Sequence, residues 1–277
     1  MMLRTLIARG KSALDHGGIP NAARDARLLA AHVCDIDPSR VTLHEMDEVL
    51  EAVIARFDDA ITQRLNHRPV SRIIGVRQFW GRNFQITDDV LDPRGDTETL
   101  IAEALKTPAK RILDLGTGSG ILGITLAAEQ VDTFVTVTDI SQAALVVAKT
   151  NAKRHRVEER IEFIESDWFD SVSGKFGLII SNPPYIGENE LAGLEPDVID
   201  YDPMIALTPG GDGLAPYRII AGQAQNYLNE NGRVIVEIGH SQGNDVKDLF
   251  LQAGFAGVQI LQDLDGKDRA IVAKHPV

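Results

Sequence analysis

One stretch of this 277-residue chain decides its fold: Ile112-Leu113-Asp114-Leu115-Gly116-Thr117-Gly118-Ser119-Gly120. An apolar run of strand length passes directly into a glycine-rich turn, and a helical pattern follows the turn. Glycines let the backbone approach a ligand closely, and the N–H groups at the start of a helix can bind an anion. The stretch therefore predicts both an α/β unit and a binding site.

The alternation of strand and helix continues to the end of the chain. Seven strands are predicted, at residues 111–115, 134–138, 161–164, 176–180, 233–238, 258–261 and 269–273. Helices are predicted between them, for example over residues 141–155 and 216–229. Such alternation is typical of a parallel α/β sheet with helices on both faces. The last two strands are too close for a helical crossover, so one antiparallel strand is expected at the end.

A second stretch, Ile179-Ile180-Ser181-Asn182-Pro183-Pro184-Tyr185, ends the fourth predicted strand. Proline has no N–H and a fixed φ, so the two prolines stop the strand in a rigid turn. The turn suits a planar substrate with an NH₂ group. Asn182 Oδ1 and the Pro183 carbonyl can each accept one of its hydrogens, while Tyr185 packs on its plane. Asn-Pro and Pro-Pro are also ordinary turn pairs, so these residues alone leave a simple loop equally open.

The glycine-rich turn can be compared with known nucleotide-binding patterns. A dinucleotide pattern can be placed on Gly118, Gly120 and Gly123, but it then lies inside the helix rather than at the strand end. The sequence has no Gly-Lys-Ser/Thr, which excludes a phosphate-binding P-loop. Asp-Leu-Gly-Thr-Gly-Ser-Gly instead resembles the first motif of class I methyltransferases, which use S-adenosylmethionine. That resemblance implies that the helix end faces the methionine carboxylate of the cofactor.

Two further loops follow strands at the same edge of the predicted sheet. Asp139 closes the second strand, where an acid can accept both ribose hydroxyls of a nucleoside, and it can also cap the next helix. Asp167 and Trp168 follow the third strand, where such folds place the adenine, and a ligand role is favoured for both, with a core position as the alternative for Trp168 and Phe169. Ligands of open α/β sheets bind outside the carboxyl ends of the strands. The four loops are therefore expected to open onto one edge.

The first 67 residues have apolar positions at helical spacing, which predicts a small helical bundle. Its third helix is expected to begin at Asp47 as the N-cap. A hairpin turning near residues 81–83 follows, and Asp96 or Thr97 is expected to cap the helix after it. We therefore predict three parts: an N-terminal helical bundle (residues 1–72), a hairpin linker (73–88) and the α/β domain (89–277).

Composition disfavours several classes of protein. The net charge is −12, and residues 83–277 carry 16 Lys and Arg against 30 Asp and Glu, which disfavours binding along a nucleic-acid backbone. No transmembrane run or signal peptide is indicated, and the single cysteine, Cys34, excludes an intrachain disulfide. These features predict a cytoplasmic protein that binds neither membrane nor nucleic acid directly. The seven histidines lack metal-ligand spacing, so no metal site is expected.

Asn-Pro-Pro-Tyr after the fourth strand resembles the motif of amino-methyltransferases that act on planar NH₂ groups. Further stretches are similar to the release factor glutamine methyltransferases, the PrmC/HemK family. They are Gln78-Phe79-Trp80-Gly81, Asp92-Pro93-Arg94 with Asp96-Thr97-Glu98, Ser166-Asp167-Trp168-Phe169, Tyr201-Asp202-Pro203, Gly211-Asp212-Gly213-Leu214 and Glu237-Ile238-Gly239-His240-Ser241-Gln242-Gly243. The likeness extends from about residue 70 to the end. One departure is that Asp92 and Gly95 replace the Ile and the second Pro of the family's Ile-Pro-Arg-Pro loop.

The resemblance implies a Rossmann-like methyltransferase sheet of seven mostly parallel strands with one antiparallel strand, plus a small N-terminal helical bundle that helps to grip the partner. It implies methyl transfer from S-adenosylmethionine to the side-chain amide nitrogen of the glutamine in the Gly-Gly-Gln motif of peptide chain release factors, by a monomer. The catalytic residues would be Asn182, Pro183 and Tyr185, and the substrate would contact these and Pro184. The cofactor-binding residues would be Gly116, Thr117, Gly118, Ser119, Gly120, Asp139, Asp167, Trp168 and Asn182.

Two other functions remain open at this point. A nucleic-acid amino-methyltransferase acting on adenine or cytosine shares the four-residue motif, but it needs a basic groove and, on duplexes, a flipped base. The acidic balance of residues 83–277 argues against that reaction. A protein that binds the cofactor without turnover and serves as an interaction module is the other alternative, and the intact Asn182 and Tyr185 argue against it.

Overall fold

The computed structural model describes residues 1–276. These residues form two compact units. Unit 1 comprises residues 1–76 and 195–201, and unit 2 comprises the rest of the described chain. The borders expected at residues 72 and 88 stay predictions. No pattern in the sequence predicts that residues 195–201 belong to the N-terminal unit.

The helices and strands have the following bounds. In chain order the α-helices are α1 (Leu3–His16), α2 (Ala22–Val33), α3 (Glu51–Leu65), α4 (Val70–Ile74), α5 (Glu98–Lys106), α6 (Ile121–Glu129), α7 (Gln142–Arg154), α8 (Pro196–Ile199), α9 (Met204–Leu207), α10 (Ala215–Gln223) and α11 (Gly243–Gln252). The strands are β1 (Val76–Phe79), β2 (Arg82–Gln85), β3 (Arg111–Leu115), β4 (Phe134–Asp139), β5 (Ile161–Glu165), β6 (Phe176–Ser181), β7 (Leu228–Glu237), β8 (Ala256–Gln262) and β9 (Asp268–Lys274). None of the helices in residues 1–276 is both long and apolar enough to span a bilayer.

Unit 1 is a helical bundle with its own apolar core. Leu6, Leu14, Leu29 and Phe57 from α1, α2 and α3 are fully buried in it. The expected N-cap of the third helix was wrong, because α3 begins at Glu51 with Leu50 at the N-cap. Asp47 has other partners: its carbonyl accepts the N–H of Leu3, and its carboxylate bonds to the His44 ring.

A buried arginine joins residues 195–201 to the rest of unit 1. Arg64 Nε donates to Asp25 Oδ2 at 2.8 Å, and Arg64 Nη1 lies 2.8 Å from Asp197 Oδ2. Tyr201 OH donates to the Asn66 carbonyl at 2.7 Å. The Arg64 guanidinium is almost completely buried and is paired with two carboxylates, as the cost of burying a charge demands.

A glycine in α1 gives a test of how tightly unit 1 is packed. A Cβ on Gly10 would lie 2.5 Å from Phe57 Cζ and 3.0 Å from Ile61 Cδ1. We expect Gly10→Ala to lose about 1–3 kcal/mol of unfolding free energy to overpacking, which outweighs the gain of about 1 kcal/mol in helix propensity. Gly222→Ala, in α10 with open space around it, is the control and should gain up to about 1 kcal/mol. Urea denaturation measures both, and equal effects of the two changes would contradict this packing.

The main sheet of unit 2 has seven strands in the order β5-β4-β3-β6-β7-β9-β8. The first five strands in that order are parallel, and β9 is antiparallel to both of its neighbours. The predicted fold class is therefore confirmed: a mostly parallel seven-stranded sheet with one antiparallel strand in unit 2, and an N-terminal helical bundle in unit 1. Successive residues of β6 pack into different cores, Leu178 and Ile180 into one and Ile179 into the other. Both faces of β6 are thus covered, which explains its continuous apolar run.

The structure corrects two local predictions in unit 2. The helix expected over residues 216–229 is an α-helix only to Gln223, continues as a 3-10 helix over Ala224–Tyr227, and gives way to β7 at Leu228. The register of β7 with β6 is irregular. The hairpin turns at Trp80-Gly81, whose φ values of 48° and 69° are those of a type I′ turn, rather than farther along at residues 81–83. A positive φ on tryptophan is rare, which is why the pattern alone placed the turn on glycine and asparagine.

Candidate active site

A concave site lies at the carboxyl ends of the four parallel strands β5, β4, β3 and β6. It is a cavity of about 390 Å³, within the size range of small-molecule sites. Its wall includes Gly116–Ser119, Asp139–Ser141, Ser166–Trp168, Asn182 and Pro184, one group from each of the four strand ends. Residues from segments 89–93 and 205–209, outside the sheet, and Ile121, Leu122 and Ala144 from α6 and α7 also line it. The four loops that the sequence predicted to converge do open onto one pocket.

The glycine-rich turn is held open by backbone geometry and by one buried acid. Gly116 and Gly118 have φ values of 67° and 54°, and a Cβ on either would meet nothing within 4 Å. Asp114 Oδ2 accepts the Thr117 hydroxyl at 2.6 Å and the Gly123 N–H at 3.0 Å. Burial raises the pKa of the Asp114 carboxyl to about 6. The turn therefore presents its backbone to the pocket while Asp114 fixes it from behind.

Asp139 lies opposite this turn and is already part of its scaffold. Its carboxylate accepts the Gly118 N–H at 2.8 Å through Oδ2 and the Ser141 N–H at 2.9 Å through Oδ1. The side chain of Ser141, not Asp139, caps α7 by accepting the Ala144 N–H. Burial raises the pKa of Asp139. Each oxygen keeps a further lone pair, so the carboxylate can still accept two hydroxyl groups of a ligand.

Asp167 and Trp168 form another part of the wall. Asp167 is exposed to solvent, and Trp168 is half-buried and also packs against the second core of unit 2. Trp168 has a φ of 48°, and the Ser166 hydroxyl donates to its carbonyl at 3.1 Å. The tryptophan thus has both roles that the sequence left open, as a core neighbour and as a wall of the pocket.

The Asn-Pro-Pro-Tyr corner is fixed at both ends. The Ser181 hydroxyl donates to the Leu115 carbonyl at 2.7 Å, which joins the end of β6 to the end of β3. The Tyr185 carbonyl accepts Gln242 Nε2 at 2.9 Å, and the Ile186 N–H donates to the Leu207 carbonyl. The corner is therefore held by three separate segments of the chain.

The structure does not bring every predicted site residue to the pocket wall. Asn182 and Pro184 line the pocket, whereas Pro183 is buried and Tyr185 packs, half-buried, against the second core of unit 2. Gly120 is also off the wall, because it is the N-cap of α6 and a Cβ there would collide with Ile124. Burial raises the pKa of the Tyr185 hydroxyl.

Gly213 offers a matched test of how rigid this corner must be. Its φ is +76°, and a Cβ there would collide with the Tyr185 carbonyl oxygen and lie 3.0 Å from Gln242 Nε2. Gly211 has a similar φ of +57°, but a Cβ there would meet nothing within 4 Å. Both alanine variants bear the same backbone strain of about 1 kcal/mol, so only Gly213→Ala should displace the corner. We expect turnover at this site to be about tenfold or more slower in Gly213→Ala than in Gly211→Ala. Equal rates would show that the Tyr185 carbonyl can move freely.

Two residues behind Asn182 were not among the predicted site residues. The buried Thr97 hydroxyl donates to Oε2 of the buried Glu237 at 2.6 Å, and Asn182 Nδ2 lies 3.4 Å from Thr97 Oγ1. Thr97 occupies the N-cap position of α5, as one of the two predictions had it, but its side chain makes no cap bond, and Asp96 pairs with Arg269. The signal in the sequence that could have indicated Glu237 is an acid at the end of a predicted apolar strand, in Glu237-Ile238-Gly239.

The loop that departs from the family pattern is held by one acid. Asp202 accepts the Asp92 N–H at 3.0 Å and Arg94 Nη2 at 2.7 Å, one bond to each carboxylate oxygen. A Cβ on Gly95 would meet nothing within 4 Å, so there is room for a side chain at this position. Among residues 1–276 no three His, Cys, Asp or Glu side chains are grouped so that they could hold a metal ion.

Comparisons with known proteins agree with this architecture. Residues 5–75 match the model of the PrmC N-terminal domain, and residues 95–212 match that of the methyltransferase small domain. A crystal structure of a methyltransferase from Pyrococcus furiosus superimposes with a TM-score of 0.55 over 72% of this chain and 91% of that chain. At 16% identity that likeness concerns the fold alone.

Two relatives carry the same name. A release factor glutamine methyltransferase of Cereibacter sphaeroides is 49% identical over 94% of this chain and 93% of its own length. One of Agrobacterium fabrum is 40% identical over 98% of this chain and 96% of its own length. Identity at this level across both units, together with the two domain matches, assigns the family: the chain belongs to the release factor glutamine methyltransferases.

Proposed function

We propose that the protein transfers a methyl group from S-adenosylmethionine to the side-chain amide nitrogen of the glutamine in the Gly-Gly-Gln motif of peptide chain release factors. The observation that carries the proposal is the position of Asn182. It lies on the wall of the same pocket that Gly118 and Asp139 line. A group that can hold a primary amide therefore shares one cavity with the groups suited to a nucleoside cofactor.

The pocket residues fit the cofactor. The open turn at Gly116 and Gly118 leaves room for a ligand against the backbone, and Asp139 keeps lone pairs for two ribose hydroxyls. Asp167 and Trp168 can accept from the adenine amino group and cover its ring. When bound, the cofactor supplies an electrophilic methyl group on a positively charged sulfur.

The contribution of the protein is to hold and orient a poor nucleophile. An amide nitrogen is weakly nucleophilic because its lone pair is conjugated with the carbonyl. Asn182 Oδ1 and the Pro183 carbonyl would accept its two hydrogens, which returns electron density to nitrogen and aligns it with the methyl group. Orientation of this kind is worth up to about 7–11 kcal/mol. No base is needed before transfer, because the extra proton can leave afterwards.

Asn182 is the residue on which this mechanism depends. Pro183 and Tyr185 lie beside it but outside the pocket lining, so their contacts with the glutamine remain predictions. We further propose that the protein acts as a monomer in the cytoplasm, that the N-terminal bundle grips the release factor, and that the acidic balance of residues 83–277 favours a basic loop on that partner.

The test is to offer the protein three acceptors with S-adenosylmethionine labelled in its methyl group. We expect label on a purified release factor and none on duplex DNA or RNA. A release factor with its Gly-Gly-Gln glutamine changed to glutamate is the matched control and should take up no label. Label on either nucleic acid would instead support the amino-methyltransferase of adenine or cytosine, which shares the Asn-Pro-Pro-Tyr motif. Binding of cofactor without transfer to any acceptor would support an interaction module.

A further inference from the structure

A short chain of hydrogen bonds runs from the pocket wall into the interior of unit 2, from Asn182 through Thr97 to Glu237. We propose that Thr97 and Glu237 are positioning residues, which fix the Asn182 amide so that its oxygen, not its NH₂ group, faces the substrate. The proposal rests on the proposed function, because it specifies how Asn182 is prepared to hold a glutamine amide.

The first step concerns the single hydrogen of the Thr97 hydroxyl. Thr97 is fully buried and Glu237 is 1% exposed, so water does not compete for their hydrogen bonds. A carboxylate can only accept, and Thr97 Oγ1 lies 2.6 Å from Glu237 Oε2. The hydroxyl therefore gives its hydrogen to Glu237 and can offer only lone pairs to any other neighbour.

The second step transmits this direction to Asn182. The amide lies 3.4 Å from Thr97 Oγ1, and with the hydroxyl able only to accept, the contact must be made by Nδ2. The reverse orientation would place Oδ1 against another oxygen with no hydrogen between them. Since Nδ2 is turned toward Thr97, Oδ1 is left for the pocket that Asn182 lines. Only that orientation can accept a hydrogen from the glutamine NH₂ group.

The third step concerns the charge of Glu237. The Tyr217 hydroxyl donates to the main-chain carbonyl of Glu237 at 2.9 Å, and this bond anchors the end of β7. The charged and titratable groups that act on its carboxyl are Arg94 and Asp96 before α5, Arg269 on β9, Tyr185 after β6 and Tyr217 on α10. Burial is the dominant influence on this carboxyl and raises its pKa to about 7.

Whether turnover rises or falls with pH depends on which of Thr97 and Glu237 donates the hydrogen bond between them. Above its pKa Glu237 is ionised and accepts from Thr97. Below it, the protonated carboxyl can donate to Thr97, whose own hydrogen is then free for Asn182 Oδ1, and the amide can turn round. The turnover number should therefore fall as the pH drops through about 7, toward tenfold for each pH unit. The amide group of the substrate does not titrate in this range.

Three variants test the proposal with a release factor as acceptor. Thr97→Val removes the hydroxyl at nearly constant volume and should lower kcat about 10- to 100-fold, the size of loss seen when the hydrogen-bond partner behind a metal ligand is removed. Its cofactor affinity, measured by calorimetry, should stay within about threefold because Thr97 is not on the pocket wall. Thr97→Ser keeps the hydroxyl and should restore the rate. Glu237→Gln cannot lose a proton and should remove the limb near pH 7 from the profile of kcat against pH, leaving only a fall at the lower pH where Asp114 titrates.

The outcomes separate this proposal from the one before it. If the wild-type protein methylates no release factor, the proposed function fails. If the wild-type protein is active and Thr97→Val matches it, or if Glu237→Gln keeps the limb near pH 7, only the positioning role fails. Cofactor binding and thermal unfolding of each variant show whether it is folded. An unfolded Thr97→Val leaves Thr97→Ser and Glu237→Gln to decide, since a Thr97→Ser rate tenfold below wild type also contradicts the positioning role.

Discussion

Replacing Asn182 with alanine should lower turnover by about 10²–10³-fold, the loss that follows removal of one preorganised polar group from an active site. The variant loses the acceptor that holds the amide NH₂ group in line with the methyl donor. Its affinity for S-adenosylmethionine should fall much less, because Asp139 and the turn at Gly116 and Gly118 are unchanged. Single-turnover kinetics at saturating cofactor would measure the chemical step, and calorimetry would measure cofactor binding.

The matched control for this change is Asn189→Ala. Asn189 is an exposed asparagine seven residues along the same chain segment and does not line the pocket. Its variant should keep the wild-type rate. A rate for Asn182→Ala within about twofold of wild type would remove the basis of the mechanism, and a parallel loss of cofactor affinity would make Asn182 a cofactor ligand only.

The second large effect is expected at Asp139, on cofactor affinity. The two oxygens of the Asp139 carboxylate each accept one N–H group, from Gly118 and from Ser141. An asparagine at this position has only one acceptor oxygen. One N–H would then face an NH₂ group, and leaving such a donor unsatisfied costs about 1–3 kcal/mol. The ribose would also lose an acceptor. We therefore expect Asp139→Asn to weaken cofactor binding by about 10- to 100-fold.

Glu165→Gln is the control for the Asp139 variant. Glu165 ends β5 in register with Asp139, but it is exposed and does not line the pocket. The same loss of charge should therefore leave cofactor affinity unchanged. Titration calorimetry with S-adenosylmethionine compares the two variants. An equal effect of both would mean that Asp139 acts only through the net charge of the sheet edge.

Much of unit 2 could be predicted from sequence because its central strands β3 and β6 are buried on both faces and bounded by clear turn residues. The predicted strand at residues 111–115 coincides with β3, and 134–138 differs from β4 by one residue. The start of β7 could not be placed, because Leu228 begins a strand whose next three residues are exposed and polar. Periodicity detects only positions with a regular pattern of burial.

The convergence of the four loops at the strand ends was also predictable, because parallel strands share one carboxyl edge. The side chains that support each loop from behind were not predictable. The partners of Thr97 and Asp202 are 140 and 110 residues away along the chain, at Glu237 and Asp92. Local sequence cannot specify such pairs, and it cannot show that Tyr185 packs against the core while Asn182 lines the pocket.

The central claim is that the corner at Asn182 presents the nitrogen of a glutamine amide to the methyl donor. Mass spectrometry of a release factor, after incubation with the protein and S-adenosylmethionine, tests this most directly by fragmenting the peptide that contains Gly-Gly-Gln. The predicted result is a single added methyl group on the side-chain nitrogen of that glutamine. A methyl group on a lysine, an arginine, a carboxylate or the peptide backbone would contradict it.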